Sequence, residues 1–404
     1  MSKSENPTPV QQDGTSILSS FDYQPRTRLV CGVGCIERVG ELTRELGCKK
    51  VLLVTDSGIV AAGHADRVRK ILDAAHIGTV LFDKVRENPT TRDVDACLQM
   101  AKESGIDAFI GLGGGSSMDT AKGCNFLLTN GGRMQDYWGV GKATKPMLPF
   151  IAIPTTAGTG SECQSAALIA DEETHQKMAC LDPKAAARIA LLDPTLTLSQ
   201  PAQVAASTGI DAIAHAVETA VTKKRTPLSL MYSHEAFKLC FSGFPTIFQT
   251  PTDIQARGQM QLGAALAGTA IENSMLGAAH SAANPLTAHF GIVHGQAVGI
   301  MLPHVVRFNA EDPVARAGYI DLAIAAKLGG PQESAEDLLR KLVGTLENFL
   351  IVANIPRSLD ALGVKHSKIP SLAEEAAKQW TATFNPRPIT AADFVKLYEA
   401  ASKQ

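Results

Sequence analysis

The sequence predicts an α/β N-terminal domain built on a parallel sheet, followed by an all-α C-terminal domain. Two observations support this. Up to Asp193, short apolar runs alternate with helical patterns, which is typical of a parallel sheet covered on both faces. After Pro201 the strand signals fade, and Ala- and Leu-rich helical patterns continue to the end. We therefore expect a flexible polar tail at 1–20, an α/β domain at 21–199 and a helical domain at 200–404.

The individual elements follow from the same patterns. Apolar runs predict strands at 50–55, 79–83, 108–112, 151–154 and 189–193. Helical patterns lie between them, for example at 65–75 and 92–104. Near the C-terminus, Thr390 is followed three residues later by Asp393, which predicts a capping box at the start of the last helix.

Composition excludes several classes of protein. At 404 residues the chain is long enough for two full cores. A formal net charge of −2 and 5% aromatic residues provide neither the field nor the stacking surface that nucleic acid needs. No apolar run is long enough to span a membrane, so we expect neither partner. Eight cysteines without a Cys-x-x-Cys pair, and no apolar signal core at the N-terminus, favour reduced thiols and a cytoplasmic protein.

The residues most indicative of chemistry are one carboxylate and three imidazoles in an otherwise apolar stretch: Asp211, His215, His280 and His294. Such side chains are costly among apolar neighbours unless something pairs with them, and a divalent metal would pair with all four. One carboxylate and three imidazoles form a typical set of ligands for Zn²⁺ or Fe²⁺.

The spacing constrains how these residues meet. Asp211 and His215 are four residues apart in a helical pattern, so they share one helix face. His280 and His294 are fourteen apart, which is about 21 Å along one straight helix, so the chain must turn back between them. Pro285 and Gly291 could supply that break.

The competing interpretation is that these are ordinary polar residues at helix ends and interfaces. For Asp211 and His215 alone that interpretation is preferred, because Asp-x-x-x-His is common by chance. The two further histidines favour the metal site.

A glycine turn at 111–116 predicts an anion-binding site. A strand pattern leads into Gly113, Gly114 and Gly115, which let the backbone approach a ligand closely, and a helix follows. We expect Ser116 to be its N-cap, with Asp119 three residues on, and the helix N-terminus to suit a pyrophosphate. The Rossmann fingerprint is incomplete, because its third glycine and its distal acid are missing. The alternative is a glycine-rich turn that binds nothing.

Two further features suit a dinucleotide. The loop 154–162 offers the hydroxyl groups of Thr155, Thr156, Thr159 and Ser161 for phosphate or ribose, although such loops are often only turns. Asp56 ends a predicted strand, where a carboxylate can bind ribose hydroxyls and repel a 2′-phosphate. Asp56 therefore favours NAD over NADP, unless it is simply a turn or cap residue.

Taken together, these segments resemble the iron-containing (group III) alcohol dehydrogenase family from about Phe21 to Ala401. The resemblance rests on motifs at 54–56, 87–90, 113–119, 154–162, 208–215, 280–295, 302–304 and 385–387. It implies a Rossmann-like, dehydroquinate synthase-like sheet domain that binds NAD(P), and a helical domain that holds Fe²⁺, sometimes Zn²⁺. It also implies a homodimer or a larger homo-oligomer.

The resemblance also implies roles for particular residues. The metal ligands would be Asp211, His215, His280 and His294. Asp56 and Asn88 would lie near the adenosine, and Gly114, Gly115, Ser116 and Asp119 would hold the pyrophosphate region. The rest of the cofactor site would be Thr155, Thr156, Thr159, Ser161 and Lys177.

One position departs from the family pattern. Many members carry a second histidine where this chain has Asn284, and that histidine is usually given a proton-relay role. Asn can hydrogen-bond but cannot titrate. His289, nearby in sequence, is the alternative relay, although it is equally consistent with a surface residue.

The predicted function is reversible NAD-linked oxidation of a small alcohol to its aldehyde, with Fe²⁺ as Lewis acid. Within the superfamily the alternatives are a maleylacetate reductase-like or a hydroxyacid–oxoacid transhydrogenase-like enzyme. Relatives of glycerol dehydrogenase and dehydroquinate synthase are less well matched, because they generally use three protein ligands. Outside it, a metal-dependent hydrolase would not need the glycine turn, and a non-catalytic nucleotide-binding module would bind no metal.

Overall fold

The computed structural model describes residues 20–174 and 176–403, so the predicted tail at 1–20 lies outside the described residues except for residue 20. A six-stranded sheet organises the first half of the chain. Its strands are β1 (Arg28–Cys31), β2 (Lys50–Val54), β3 (Gly78–Phe82), β4 (Ala108–Gly113), β6 (Phe150–Pro154) and β9 (Ile189–Leu192). They lie in the order β1-β9-β6-β4-β2-β3, and every pair is parallel. The parallel sheet predicted from the sequence is thereby confirmed.

The sheet is buried on both faces, as its side-chain pattern shows. In β2, Val51 and Leu53 pack into one apolar cluster with residues of α1 (Val39–Glu45) and α3 (His64–Ala74). Leu52 and Val54 point the other way, into a cluster with residues of α4 (Thr91–Ser104) and α5 (Gly115–Asn130). An uninterrupted apolar run is what a central parallel strand needs, because successive side chains enter different cores.

A second, smaller sheet was not predicted from the sequence. It has the order β5-β8-β7, in which β7 (Ala166–Ala170) and β8 (Lys177–Leu181) are antiparallel and β5 (Gly139–Val140) pairs with β8. These strands are short and only partly buried, so they lack the continuous apolar runs that marked the main sheet.

Helices form the second half of the described chain. Its centre is α6 (Ala202–Thr219), which is buried over most of its length and packs against three of the helices that follow it. The other helices are α7 (Pro227–Gln249), α8 (Ile254–Asn273), α9 (Ala278–Phe290), α10 (His294–Asn309), α11 (Pro313–Ala325), α12 (Ala335–Val352), α13 (Ile369–Lys378) and α14 (Ala391–Ser402). A short α2 (Ser57–Ala61) follows β2 in the first half. The predicted domain division at 199 and 200 falls between β9 and α6.

Two smaller sequence predictions have clear outcomes. The capping box of Thr390 and Asp393 is present at the start of α14. The cysteines are free, and apart from Cys31 they are buried.

Within residues 20–174 and 176–403, no helix combines the length and apolar character that crossing a bilayer requires.

Two glycines bring the halves into backbone contact. Gly160, in the loop after β6, has a φ of +62°, which favours glycine, and it lies against Gly268 in α8. A Cβ added to Gly160 would lie 2.6 Å from the Gly268 Cα, and one added to Gly268 would overlap the Gly160 carbonyl oxygen. Neither position has room for a side chain.

We expect Gly268→Ala to destabilise the protein by about 1–3 kcal/mol, because the new methyl group must push two backbones apart. Gly344→Ala is the matched control: Gly344 lies inside α12 with no atom within 4 Å of an added Cβ. There, helix propensity alone predicts a gain of about 0.5–1 kcal/mol. Chemical denaturation monitored by circular dichroism measures both changes, and equal effects at the two positions would contradict the packing argument.

Candidate metal centre and cofactor edge

Helix α6 supplies the first two residues of the candidate metal centre. Asp211 and His215 lie one helical turn apart on the same face, with 3.5 Å between Asp211 Oδ1 and His215 Nε2. Both are buried, at 5% and 4% exposure. The predicted shared helix face therefore exists, and it faces inward.

The other two residues come from α9 and α10. His280 lies in the first turn of α9 and His294 is the first residue of α10. The chain turns back between them at Gly291, which has a φ of +64° and ends α9. Pro285, the other predicted breaker, stays inside α9, so Gly291 provides the reversal.

All four side chains meet around one carboxylate oxygen. Asp211 Oδ1 lies 3.3 Å from His280 Nε2 and 3.9 Å from His294 Nε2. The ligand atoms of Asp211, His215 and His280 all lie within 4.8 Å of one another. Among the described residues, Asp211 Oδ1 and His280 Nε2 are buried without a hydrogen-bond partner. Because unpaired buried polar atoms are costly, this donor set fits a bound divalent cation.

The electrostatics of His215 and His294 agree with that fit, whereas a metal would have to displace a proton from His280. Burial lowers the pKa of His215 to about 4 and that of His294 to about 3, so both rings are neutral, as metal ligands must be. For the Asp211 carboxyl, burial acts in the opposite direction and raises the pKa, but the nearby imidazoles outweigh it and hold that pKa below its ordinary value. For His280, burial acts to lower the pKa, but Glu218 and Asp211 outweigh it and raise the pKa to about 9.

Small residues let α10 approach α6 closely enough to place His294. A Cβ on Gly295 would overlap the carbonyl oxygen of Ser207, and one on Gly299 would overlap the side chain of Ile210. Larger residues at either position would hold α10 away from α6. His294 itself keeps 28% of its side chain exposed, so the centre is open on that side.

Sequence reasoning missed Glu218, a buried carboxylate beside His280. Its Oε2 lies 2.5 Å from His280 Nδ1, and its Oε1 accepts a hydrogen bond from the Ala279 N–H at 2.7 Å. The signal was present: Glu218 is three residues after His215 and seven after Asp211, on the same face of a helix.

The predicted cofactor residues gather at the carboxyl edge of the main sheet. Strand order reverses between β2 and β4, since β3 lies on one side of β2 and the later strands on the other. Ligands of open parallel sheets bind in the crevice at such a switch point. Asp56, which follows β2, and Gly113, which ends β4, flank it: a Cβ added to Gly113 would lie 3.4 Å from Asp56 Oδ2.

The two predicted loops lie side by side at this edge. Thr155 N–H donates to the Gly113 carbonyl at 3.0 Å. A Cβ on Gly114 would lie 3.5 Å from Thr156, and one on Gly115 would lie 2.9 Å from Thr159. The glycines thus leave space directly beside the threonine side chains.

One sequence prediction about this turn is wrong. The N-cap of α5 is Gly114 and not Ser116: β4 ends at Gly113, Gly114 has an extended backbone, and the helix begins at Gly115. The Ser116 hydroxyl instead accepts a hydrogen bond from the Asn88 N–H at 3.3 Å, and Asn88 has a φ of +53°. Both residues still lie at the same edge.

Asp119 and Ser161 face the protein interior. Ser161 Oγ donates to Asp119 Oδ1 at 3.0 Å, and both are buried. Lys122, which sequence reasoning also missed, donates to Ser161 Oγ at 2.9 Å and to the carbonyls of Gln164 and Ala166. Its contacts join α5 to the chain after β6, so these residues brace the cofactor edge from behind.

The other three predicted site residues lie on different elements of the fold: Lys177 is in β8, and Asn284 and His289 are in α9. Burial is the main cause of the lowered His294 pKa, and the charge of Lys177, which is exposed at the start of β8, lowers that pKa further. Asn284, one turn after His280 on α9, donates to Gln379 Oε1 at 3.0 Å. His289 is about half exposed and pairs with Glu375 at 2.8 Å, so the structure places it at the surface.

Comparison with known proteins gives this geometry a context. Residues 25–194 match the family model described as iron-containing alcohol dehydrogenase, and residues 205–402 match the C-terminal model of that family. The chain belongs to the iron-containing alcohol dehydrogenase family. Family membership makes it an oxidoreductase of the NAD-dependent alcohol dehydrogenase class.

Individual members of the iron-containing alcohol dehydrogenase family are similar over nearly the whole chain. An NAD-dependent methanol dehydrogenase from Bacillus methanolicus is 33% identical over 95% of this chain and 100% of its own length. Alcohol dehydrogenase 4 from Schizosaccharomyces pombe is 34% identical over 95% of this chain and 89% of its own. A crystal structure of a 1,3-propanediol oxidoreductase superposes with a TM-score of 0.91 at 31% identity, covering 95% of this chain and all of the other.

If the four residues bind a metal, His215→Ala should lower the metal retained after purification by at least about tenfold, since losing a ligand costs more than the 10–100-fold of an outer contact. His366→Ala is the control, because His366 is exposed and pairs with Asp360, away from the cluster. Elemental analysis and circular dichroism test this together. Full metal content in a folded His215→Ala protein would contradict the site.

Proposed function

We propose that this protein is a metal-dependent, NAD-linked alcohol dehydrogenase that interconverts a small alcohol and its aldehyde, with Fe²⁺ as the metal and Zn²⁺ as the alternative. The observation that carries the proposal is the meeting of one carboxylate and three imidazoles around Asp211 Oδ1, with buried atoms that lack hydrogen-bond partners. Asp211, His215, His280 and His294 would hold the ion. When bound, it would supply Lewis acidity toward the alcohol oxygen.

The chain's own residues would bind and align the reactants. The backbone N–H groups at the start of α5 and the threonines of the neighbouring loop would bind the cofactor phosphates. Asp56 and Asn88 would lie toward the adenosine, and Lys177 would complete the site beside His294. Asp119 and Ser161 would act from behind by fixing the loop, since they bond to each other.

The substrate class rests on the relatives. Those with names that state a substrate include methanol, 1,3-propanediol and choline dehydrogenases and a lactaldehyde reductase. These are small alcohols or aldehydes, and we propose the same class here. The maleylacetate reductase-like and transhydrogenase-like enzymes are the alternatives, and we also propose the predicted cytoplasmic location and a homodimer or larger homo-oligomer.

One assay separates the dehydrogenase from the reductase alternative. Purified protein loaded with Fe²⁺ or with Zn²⁺ would be tested for NADH formation with short-chain alcohols, and for NADH oxidation with aldehydes and oxo-acids. We expect turnover with alcohols and aldehydes. Turnover confined to oxo-acids would favour the reductase alternative, and no NADH binding by fluorescence would contradict a dehydrogenase.

Asp56→Ser tests the cofactor preference. Asp56 Oδ1 caps α2 by accepting from the Ile59 N–H at 3.0 Å, and serine is also a good N-cap, so the helix start is retained while the charge is lost. We expect kcat/KM for NADPH relative to NADH to rise about tenfold or more, or about 1.4 kcal/mol. Asp73→Ser, at an exposed position late in α3, is the control. Wild-type protein that already prefers NADPH would contradict the role of Asp56.

Asn284 and His289 test the proton path. A general acid–base residue contributes about 10²–10⁴-fold to turnover. His289 is exposed and paired with Glu375, so we expect His289→Ala to cost far less than that, with the proton passing to solvent. Asn284→Ala should cost modestly, because its contact with Gln379 is lost. A loss of 10²-fold or more from His289→Ala, with metal and NADH binding intact, would make His289 the relay.

A further inference from the structure

Glu218 is the third functional side chain on the face of α6 that carries Asp211 and His215. It is 3% exposed, and its two carboxylate oxygens have different partners. Oε2 lies 2.5 Å from His280 Nδ1, and Oε1 accepts from the Ala279 N–H at 2.7 Å. One carboxylate therefore holds both the ring and the backbone of neighbouring residues on α9.

The backbone contact closes the N-terminus of α9. Its N-cap residue, Gly277, has no side chain to accept from the first N–H groups of the helix. Glu218 takes the N–H of Ala279, and Asn385 Oδ1 takes that of Ala278 at 3.3 Å. A Cβ on Gly277 would lie 3.1 Å from both acceptor oxygens, so a side chain there would crowd their approach. A carboxylate at a helix N-terminus is also favoured by the helix dipole.

The side-chain contact decides which ring nitrogen of His280 carries a proton. An ionised carboxylate can only accept a hydrogen bond, so His280 must donate from Nδ1. In the neutral ring the Nε2 lone pair is then free, and Nε2 lies 3.3 Å from Asp211 Oδ1 without a hydrogen-bond partner among the described residues. A metal ligand needs this arrangement, in which one nitrogen donates to an outer acceptor and the other is left for the ion.

We propose that Glu218 is a positioning residue that fixes the tautomer and orientation of His280 and thereby sets the affinity of the centre for its metal. This inference rests on the proposed metal function. Because Glu218 sits on the same helix as Asp211 and His215, α6 positions three of the four ligands, two directly and His280 through Glu218. His294 is the ligand that Glu218 does not touch.

Glu218→Gln tests the proposal with little change in shape. An amide has one acceptor and one donor end, so it cannot accept from Ala279 and from His280 together. If its oxygen accepts from Ala279, its NH₂ group faces His280 Nδ1 and drives the ring proton to Nε2, where the metal would bind. We expect the Kd for Co²⁺, titrated into metal-free protein and followed by its visible absorption, to rise about 10–100-fold.

Asn385→Ala is the matched control, because Asn385 caps the same helix end without touching the imidazole. Thermal unfolding of the metal-free proteins reports the total stability loss in each variant, which for Asn385→Ala also includes its hydrogen bonds with Asn309 and Arg387. Weaker Co²⁺ binding in Glu218→Gln than in Asn385→Ala, at a similar loss of Tm, supports the proposal. Equal Co²⁺ affinity in Glu218→Gln and wild type overturns it, as does an equal loss in both variants. Wild-type protein that binds no Co²⁺ overturns the proposed function as well.

A measurement on the unaltered sequence keeps the proposal testable if Glu218→Gln does not fold. In Zn²⁺-loaded protein with ¹⁵N-labelled histidine, we expect a strongly downfield Nδ1–H proton that is absent from His280→Ala. A His280 Nδ1 without a proton in that spectrum overturns the proposal.

Discussion

The helical half of this enzyme is organised around a buried carboxylate that the protein alone does not satisfy. Asp211 Oδ1 faces three imidazoles among apolar helices and has no hydrogen-bond partner among the described residues, an arrangement that a bound cation would satisfy. Most of the surrounding features follow from this requirement. His215 and His294 must stay neutral, the helices must approach closely, and one side should remain accessible to substrate, as the partial exposure of His294 provides.

The site depends on small residues as much as on its polar ones. Gly295 and Gly299 bring α10 against α6, and Gly291 reverses the chain so that α9 and α10 deliver their histidines to one point. At the sheet edge, Gly113–Gly115 leave room beside two threonines and Asp56. In both regions glycine takes the place of a larger residue. Its lack of a side chain lets the helices pack closely in one region and leaves space for a ligand in the other.

The sequence predicted those features whose signals are local. The buried strand β2 was recognisable because its apolar run is continuous, and the shared helix face of Asp211 and His215 was recognisable because the two residues are four apart. The strands β7 and β8 were missed because their pairing, not their composition, makes them strands. Lys122 was missed because its partners lie 39 to 44 residues away along the chain and only tertiary structure joins them. Glu218 shares the helical spacing of Asp211 and His215, but its contact with His280, 62 residues away, is revealed only by the tertiary structure.

The contact between Gly160 and Gly268 has a consequence for how this sequence can change. When two packed residues differ in size, a larger side chain on one can be offset by a smaller one on its partner. Here both positions already have the smallest residue, and each added Cβ would meet the backbone of the other. No substitution at one glycine can therefore be compensated at the other, so the two positions can vary only if the helix and the loop separate.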